Sequence, residues 1–128
     1  MPLPAGPSGV SLDSNMRLAH LQGGHFGNGG GAFLYSWFYS QVKNRGPWDF
    51  KQRGAQYESF GNFHYGAVGT AAGFSKETLL RAAGIAQSRS GTSNSTFGKW
   101  WSTAPYGDDP RDQYWINEGI DYAKSKGY

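Results

Sequence analysis

Tyr57-Glu58-Ser59-Phe60-Gly61-Asn62-Phe63-His64-Tyr65-Gly66-Ala67-Val68-Gly69 sets a carboxylate, an amide, an imidazole and a phenol among three glycines. Each glycine costs a helix about 1 kcal/mol relative to alanine. The stretch therefore reads as one where the backbone is closely approached or turns through positive φ. A helix is expected over 62–72, and the polar side chains crowded into this stretch are the first candidates for a site.

Helices are expected on both sides. Toward the N-terminus, 11–22 reads as a helix capped by Ser11 or Asp13, with Leu12, Met16, Ala19 and the Leu18/Leu21 pair as its apolar stripe. Residues 23–31 hold six glycines in nine positions and read as a loop containing a solvated His25. The aromatic segment 32–43 (Phe33, Tyr35, Trp37, Phe38, Tyr39) reads as a core helix, ended by Asn44–Gly46 and Pro47. Trp48-Asp49-Phe50-Lys51-Gln52-Arg53 follows as a loop or one short edge strand.

Toward the C-terminus, Ser75 is placed to cap a helix over 75–88, with Glu77 in its first turn and Leu79, Leu80, Ala83 and Ala86 on its buried face. Residues 88–98 read as a loop, and the irregular stretch beginning Lys99-Trp100-Trp101 runs to Gly107. A last helix is expected from Asp109 to about Lys124, with Asp109 as cap, Pro110 at the first position and Asp112 near the positive end of the dipole. The expected fold is mainly α: four to five helices, long glycine-rich loops, and room for a minor hairpin. Residues 1–10, with three prolines and two glycines, read as a linker from an upstream delivery protein, and 11–128 as the functional domain.

Composition narrows the chemistry. The chain of 128 residues is only 38% hydrophobic, yet carries eight Phe, eight Tyr and five Trp. Its core should therefore be small, ring-rich and threaded with hydrogen bonds. The absence of cysteine excludes disulfides, thiolate metal sites and a cysteine nucleophile. A net charge of +3 and a pI near 9.2 permit an anionic partner without demanding one. No apolar run approaches the ~20 residues of a membrane span, and no signal peptide is evident.

Three ordered pieces make the chain recognisable: Gly46-Pro47-Trp48-Asp49-Phe50-Lys51, Phe60-Gly61-Asn62-Phe63-His64-Tyr65-Gly66-Ala67-Val68-Gly69, and Tyr106-Gly107-Asp108-Asp109-Pro110-Arg111-Asp112-Gln113. Leu80-Arg81-Ala82-Ala83-Gly84-Ile85-Ala86-Gln87 lies between the last two. The set resembles the bacterial polymorphic toxin type 44 family, from about residue 8 to the C-terminus. The resemblance implies a mainly α-helical C-terminal toxin domain of a large secreted effector. Such effectors are often of Rhs or YD-repeat type, delivered by type VI or related secretion into a target bacterium. It also implies a cognate immunity protein, for which charge alone suggests an acidic surface. The family is described as a predicted ribonuclease, and carries Asn as well as His at the position of His64.

A metal-independent ribonuclease needs a base for the 2′-hydroxyl proton, an acid for the leaving oxygen and a donor for the phosphate. His64 suits the first roles, with Glu58 beside it. Lys51, Arg53 or Arg111 could hold phosphate, Asn62 could orient the reacting group, and Trp48, Tyr65 or Trp101 could stack on a base. Asp49 and Lys51 could instead form a surface pair, while Gln87 and Gln113 could be core amides. A metal-dependent nuclease would draw on Asp108, Asp109 and Asp112. The start of a helix is the preferred explanation of Asp109 and Asp112 and leaves Asp108 over; no cofactor or metal is expected.

The alternative enzyme is a muramidase-like peptidoglycan glycosidase working in the target periplasm. It would have Glu58 as raised-pKa acid and Asp49 or Asp108 as partner. A non-enzymatic binding module is the third reading. Ribonuclease is preferred, with a cleft expected where 48–53, 58–66 and the start of the last helix meet. The candidate residues are Glu58, His64, Asp108 and Asp49 for catalysis. For substrate binding they are Asn62, Tyr65, Lys51, Arg53, Arg111, Asp112, Gln113 and Trp48.

Overall fold

The computed structural model describes residues 3–25, 31–89 and 108–128. Five α-helices follow one another: α1 (Leu12–His25), α2 (Gly31–Val42), α3 (Glu58–Ala72), α4 (Lys76–Arg89) and α5 (Pro110–Ser125). Two 3₁₀ turns, Phe50–Arg53 and Ala55–Tyr57, lead into α3. The expected loop at 88–98 lies largely outside the described residues, as do Lys99–Gly107 with Trp101 and the centre of the 23–31 glycine segment.

The local signals are met where they are chemically explicit. Ser11 and Ser75 each accept a backbone N–H three residues on, from Ser14 and Thr78. Asp109 caps α5 by accepting the Arg111 N–H at 2.9 Å, with Pro110 following. α3 ends at Gly73, whose φ of 107° is left-handed and closes the helix on the carbonyls of Gly69 and Thr70.

α3 is the axis of the fold. It lies against α1 on one side and α5 on the other, and Phe60, Phe63, Ala67, Val68 and Ala71 are buried between them. The α3–α5 crossing is backbone on backbone. A Cβ added at Gly66 would strike the Ile116 carbonyl, and one at Gly119 would strike the Phe63 carbonyl. Gly69 lies beneath the Leu79 side chain. These glycines need no positive φ, so packing accounts for Gly66 and Gly69 inside a continuous helix.

Three expectations are corrected. α1 continues through Gly23 and Gly24 to His25, with Gly23 lying on the Ala72 carbonyl. Residues 50–53 form a 3₁₀ turn, and no strand occurs among the described residues. α2 is not wrapped in core. Leu34 and Phe38 are its buried side chains, while Tyr35 and Tyr39 are 51% and 54% exposed. The 3–11 segment carries no helix, yet Pro7 is buried and Gly6 lies directly over the Phe60 ring.

Candidate functional site

A cavity of 570 Å³ opens between α2, α4 and the junction of α3 with α5. Glu58, Gly61, Asn62 and Tyr65 line it from α3. Their i, i+3, i+4, i+7 spacing puts them on one helical stripe. α2 contributes Tyr35, Phe38 and Tyr39; the turn before α3 contributes Trp48, Asp49 and Lys51; Asp108 and Asp112 enter from the start of α5. All three sequence stretches expected to meet do border this one space.

The acidic wall is held together by amides. The Asn62 side-chain N–H₂ donates to Asp112 Oδ1 at 3.0 Å and to the Glu58 carbonyl at 3.2 Å. Asp108 is 2% exposed. It accepts the Asp109 N–H on Oδ1 and the Gln113 amide on Oδ2, both at 2.9 Å. Gln113 also reaches the Leu80 carbonyl at 3.4 Å, tying α5 to α4 as a core amide would.

This crowding shifts the acids. Burial first, then the charges of Asp108 and Glu58 and a hydrogen bond shared with Glu58, raise Asp112 from 3.8 to about 7. With Oδ1 already accepting from Asn62, the proton belongs on Oδ2. Burial also pushes Asp108 up, against the pull of its hydrogen bonds from Gln113 and Asp109. Burial, reinforced by the charge of Asp108, raises Tyr65, whose hydroxyl donates to the Leu79 carbonyl at 2.7 Å.

Of the other candidates, His64, Arg53 and Arg111 lie outside the cavity lining, whereas Asp49 and Lys51 border it. His64 is 0% exposed, turned about 120° around α3 from Glu58 and caged by the rings of Trp48, Phe50 and Phe60. Its Nε2 meets the Asn15 amide at 3.0 Å, and its Nδ1 has no partner. Asp49 is 8% exposed, so it is not a surface group. It accepts the Arg45 N–H at 2.8 Å and so fixes a turn in which Arg45 has a φ of 68°. Arg53 sits over the Phe50 ring at 5.2 Å. Arg111 grips Asp109 in a two-point ion pair with its own side chain largely exposed, a contact worth little to stability. Neither arginine lines the cavity, whereas Lys51 does and its charge is felt at Asp108. Among the described residues, no set of three or more His, Asp or Glu is arranged to hold a metal ion.

The His64 environment makes a checkable statement. Burial lowers its pKa from 6.5 to about 3. The unfolded chain thus takes up a proton near pH 6.5, and the folded protein does so only near pH 3. The stability His64 contributes is complete above pH 6.5 and is lost as pH falls through that window, at up to ~1.4 kcal/mol per unit. Asp112 has the opposite sign, gaining a proton on folding between about 7 and 3.8, so the raw pH profile mixes the two. The difference between wild type and His64→Gln isolates the histidine. It should shrink by about 1 kcal/mol per pH unit below 6.5, read from urea unfolding at pH 7, 6 and 5. A constant difference would show that His64 is not a neutral core group.

Tyr35 and Tyr39 were invisible as site residues in the sequence, because a ring-rich helix reads as core. Asp112 read as helix capping or binding, since the two carboxylates that raise it converge only in the fold. Among curated proteins and solved structures there is no significant match to the chain. The family model for bacterial toxin 44 matches residues 40–125, a span that includes every carboxylate of the acidic wall. With two thirds of its length so matched, the chain belongs to the bacterial toxin 44 family.

Proposed function

We propose that this toxin domain is a glycoside hydrolase that cuts the peptidoglycan of a target bacterium during interbacterial competition. The observation that carries the reading is the Glu58–Asp112 pair: a carboxyl that keeps its proton near neutral pH beside an exposed carboxylate, in an aromatic-lined cavity. Asp112 donates its proton to the glycosidic oxygen as the C–O bond breaks. Glu58 shares a hydrogen bond with Asp112, so the two act as one acid unit and not as the pair held ~5–9.5 Å apart in most glycosidases. The charge on Glu58 stabilises the positive charge developing on the sugar ring. Water adds to the anomeric carbon, and its proton returns to the carboxyl pair. Asn62 holds Asp112 in place, and Gln113 holds the Asp108 charge that keeps Asp112 protonated.

The ribonuclease reading, preferred from sequence, draws less support, because the base it would use is buried. His64 is sealed from the cavity, and the wall that a phosphodiester would approach carries Glu58, Asp108 and Asp112. Glu58 and Asp108 on that wall oppose the charge of a polyanion, offset in part by Lys43 and Lys51 on the same cavity. On the glycosidase reading, an upstream Rhs-type protein carries the domain into the target periplasm, and an immunity protein in the producer covers the cleft. No helix among the described residues is long and apolar enough to cross a membrane.

Purified domain should release new reducing ends from isolated sacculi, with EDTA present, and leave total RNA intact. Expressed without its immunity protein, it should round and lyse cells when exported and spare them when kept in the cytoplasm. Degraded RNA with intact sacculi would overturn the proposal.

A further inference from the structure

We infer that Tyr35 and Tyr39 of α2 form a stacking platform for the sugar rings that flank the scissile bond. The inference rests on the glycan-hydrolase reading and names where the strand lies. Both rings are about half exposed, and both border the same cavity as Glu58 and Asp112. They are four residues apart on one helix, so they succeed each other by ~6 Å along its axis, a spacing on the scale of one pyranose ring. The core does not need them, because Leu34 and Phe38 already anchor α2 at 0% and 5% exposure.

Half-exposed rings bordering a cleft mark a binding surface more than a packing one. Tyrosine offers a rigid apolar face with a polar tip, which matches a sugar: one face of C–H bonds, a rim of hydroxyls and amides. Lys43 and Asn44 continue the same border with polar groups. Nucleobases also stack on such rings; their phosphates would meet Glu58 and Asp108 but also Lys43 and Lys51, which makes RNA the competing ligand to test.

The test measures binding apart from turnover. The Asp112→Asn domain is sedimented with insoluble sacculi, with and without Tyr35→Ala/Tyr39→Ala, after melting curves confirm that each variant folds. The double alanine variant should bind about tenfold more weakly, and Tyr35→Phe/Tyr39→Phe should restore most of the affinity. Undiminished sacculus binding by the double alanine variant, while the wild-type domain cleaves sacculi, would overturn the platform alone. A wild type that neither binds nor cleaves sacculi would remove the parent reading as well. RNA binding lost in the alanine variant, with no binding to sacculi, would reassign the surface to bases and overturn the proposal.

Discussion

Asp112→Asn should abolish most hydrolysis, roughly a 10²–10⁴-fold loss in rate, while leaving the domain as stable as wild type or more so. The pairing of these outcomes is the test. Asp112 is half-buried, near two other acids, and holds a proton up to about pH 7. An amide keeps the shape and still offers Asn62 an acceptor in place of Oδ1, but it cannot give up a proton. It also removes a charge that burial and like-charged neighbours oppose. A residue kept only for capping α5 would behave differently: its loss would lower the melting temperature and spare the rate.

The pH profile adds a second arm. If Asp112 must be protonated, wild-type kcat/KM should fall about tenfold per pH unit above about 7. Asp108 and Glu58 are both causes of the raised pKa. Asp108→Asn should therefore move that alkaline limb toward lower pH before it changes the rate at acid pH. Glu58→Gln should move the limb and also lower the plateau, because Glu58 faces the substrate. An unchanged limb in both variants would mean that a different group sets it.

Much of this architecture can be read from one dimension, where the information is local. Ser11, Ser75 and Asp109-Pro110 mark their helices because capping uses atoms within three residues of each other. The segment 57–69 signals a close backbone approach, which α3 does make, but for the same reason in reverse it does not say what approaches. The Ile116 carbonyl of α5 meets Gly66 and the Leu79 side chain of α4 covers Gly69, and nothing near either glycine in sequence reports it. His64 and Glu58 look like partners at a distance of six residues, but that spacing turns them onto different faces of α3. The exposure of Tyr35 and Tyr39 has no sequence signature, because an aromatic residue scores alike whether it faces core or cleft. The carboxyl pair is legible only as two separate acids. Their coupling depends on α3 and α5 crossing closely enough for Asn62 to reach Asp112.

That crossing supplies the other large effect. Gly119→Ala should destabilise the domain by about 3 kcal/mol or more, lowering the melting temperature by roughly 10–15 °C. The added Cβ would overlap the Phe63 carbonyl oxygen, with the Phe63 carbonyl carbon only 2.8 Å away and the Ala67 nitrogen at 3.0 Å. These are backbone atoms in the middle of a helix and cannot rotate aside, so α5 must move as a body. Gly66→Ala, which meets the Ile116 carbonyl from the other side, should cost a similar amount. Gly24→Ala in α1 is the control. It has nothing within 4 Å, so alanine there should be neutral or stabilising by up to about 1 kcal/mol. Activity should follow the crossing as well. Glu58 and Asn62 ride on α3 and Asp112 on α5, so displacing one helix separates the acid from the groups that hold and tune it. Shifts near 1 Å can cost about 10²-fold in rate. At a temperature where Gly119→Ala is still folded, it should hydrolyse sacculi far more slowly than wild type. Wild-type activity from a folded Gly119→Ala protein would show that the geometry of the pair does not depend on this crossing.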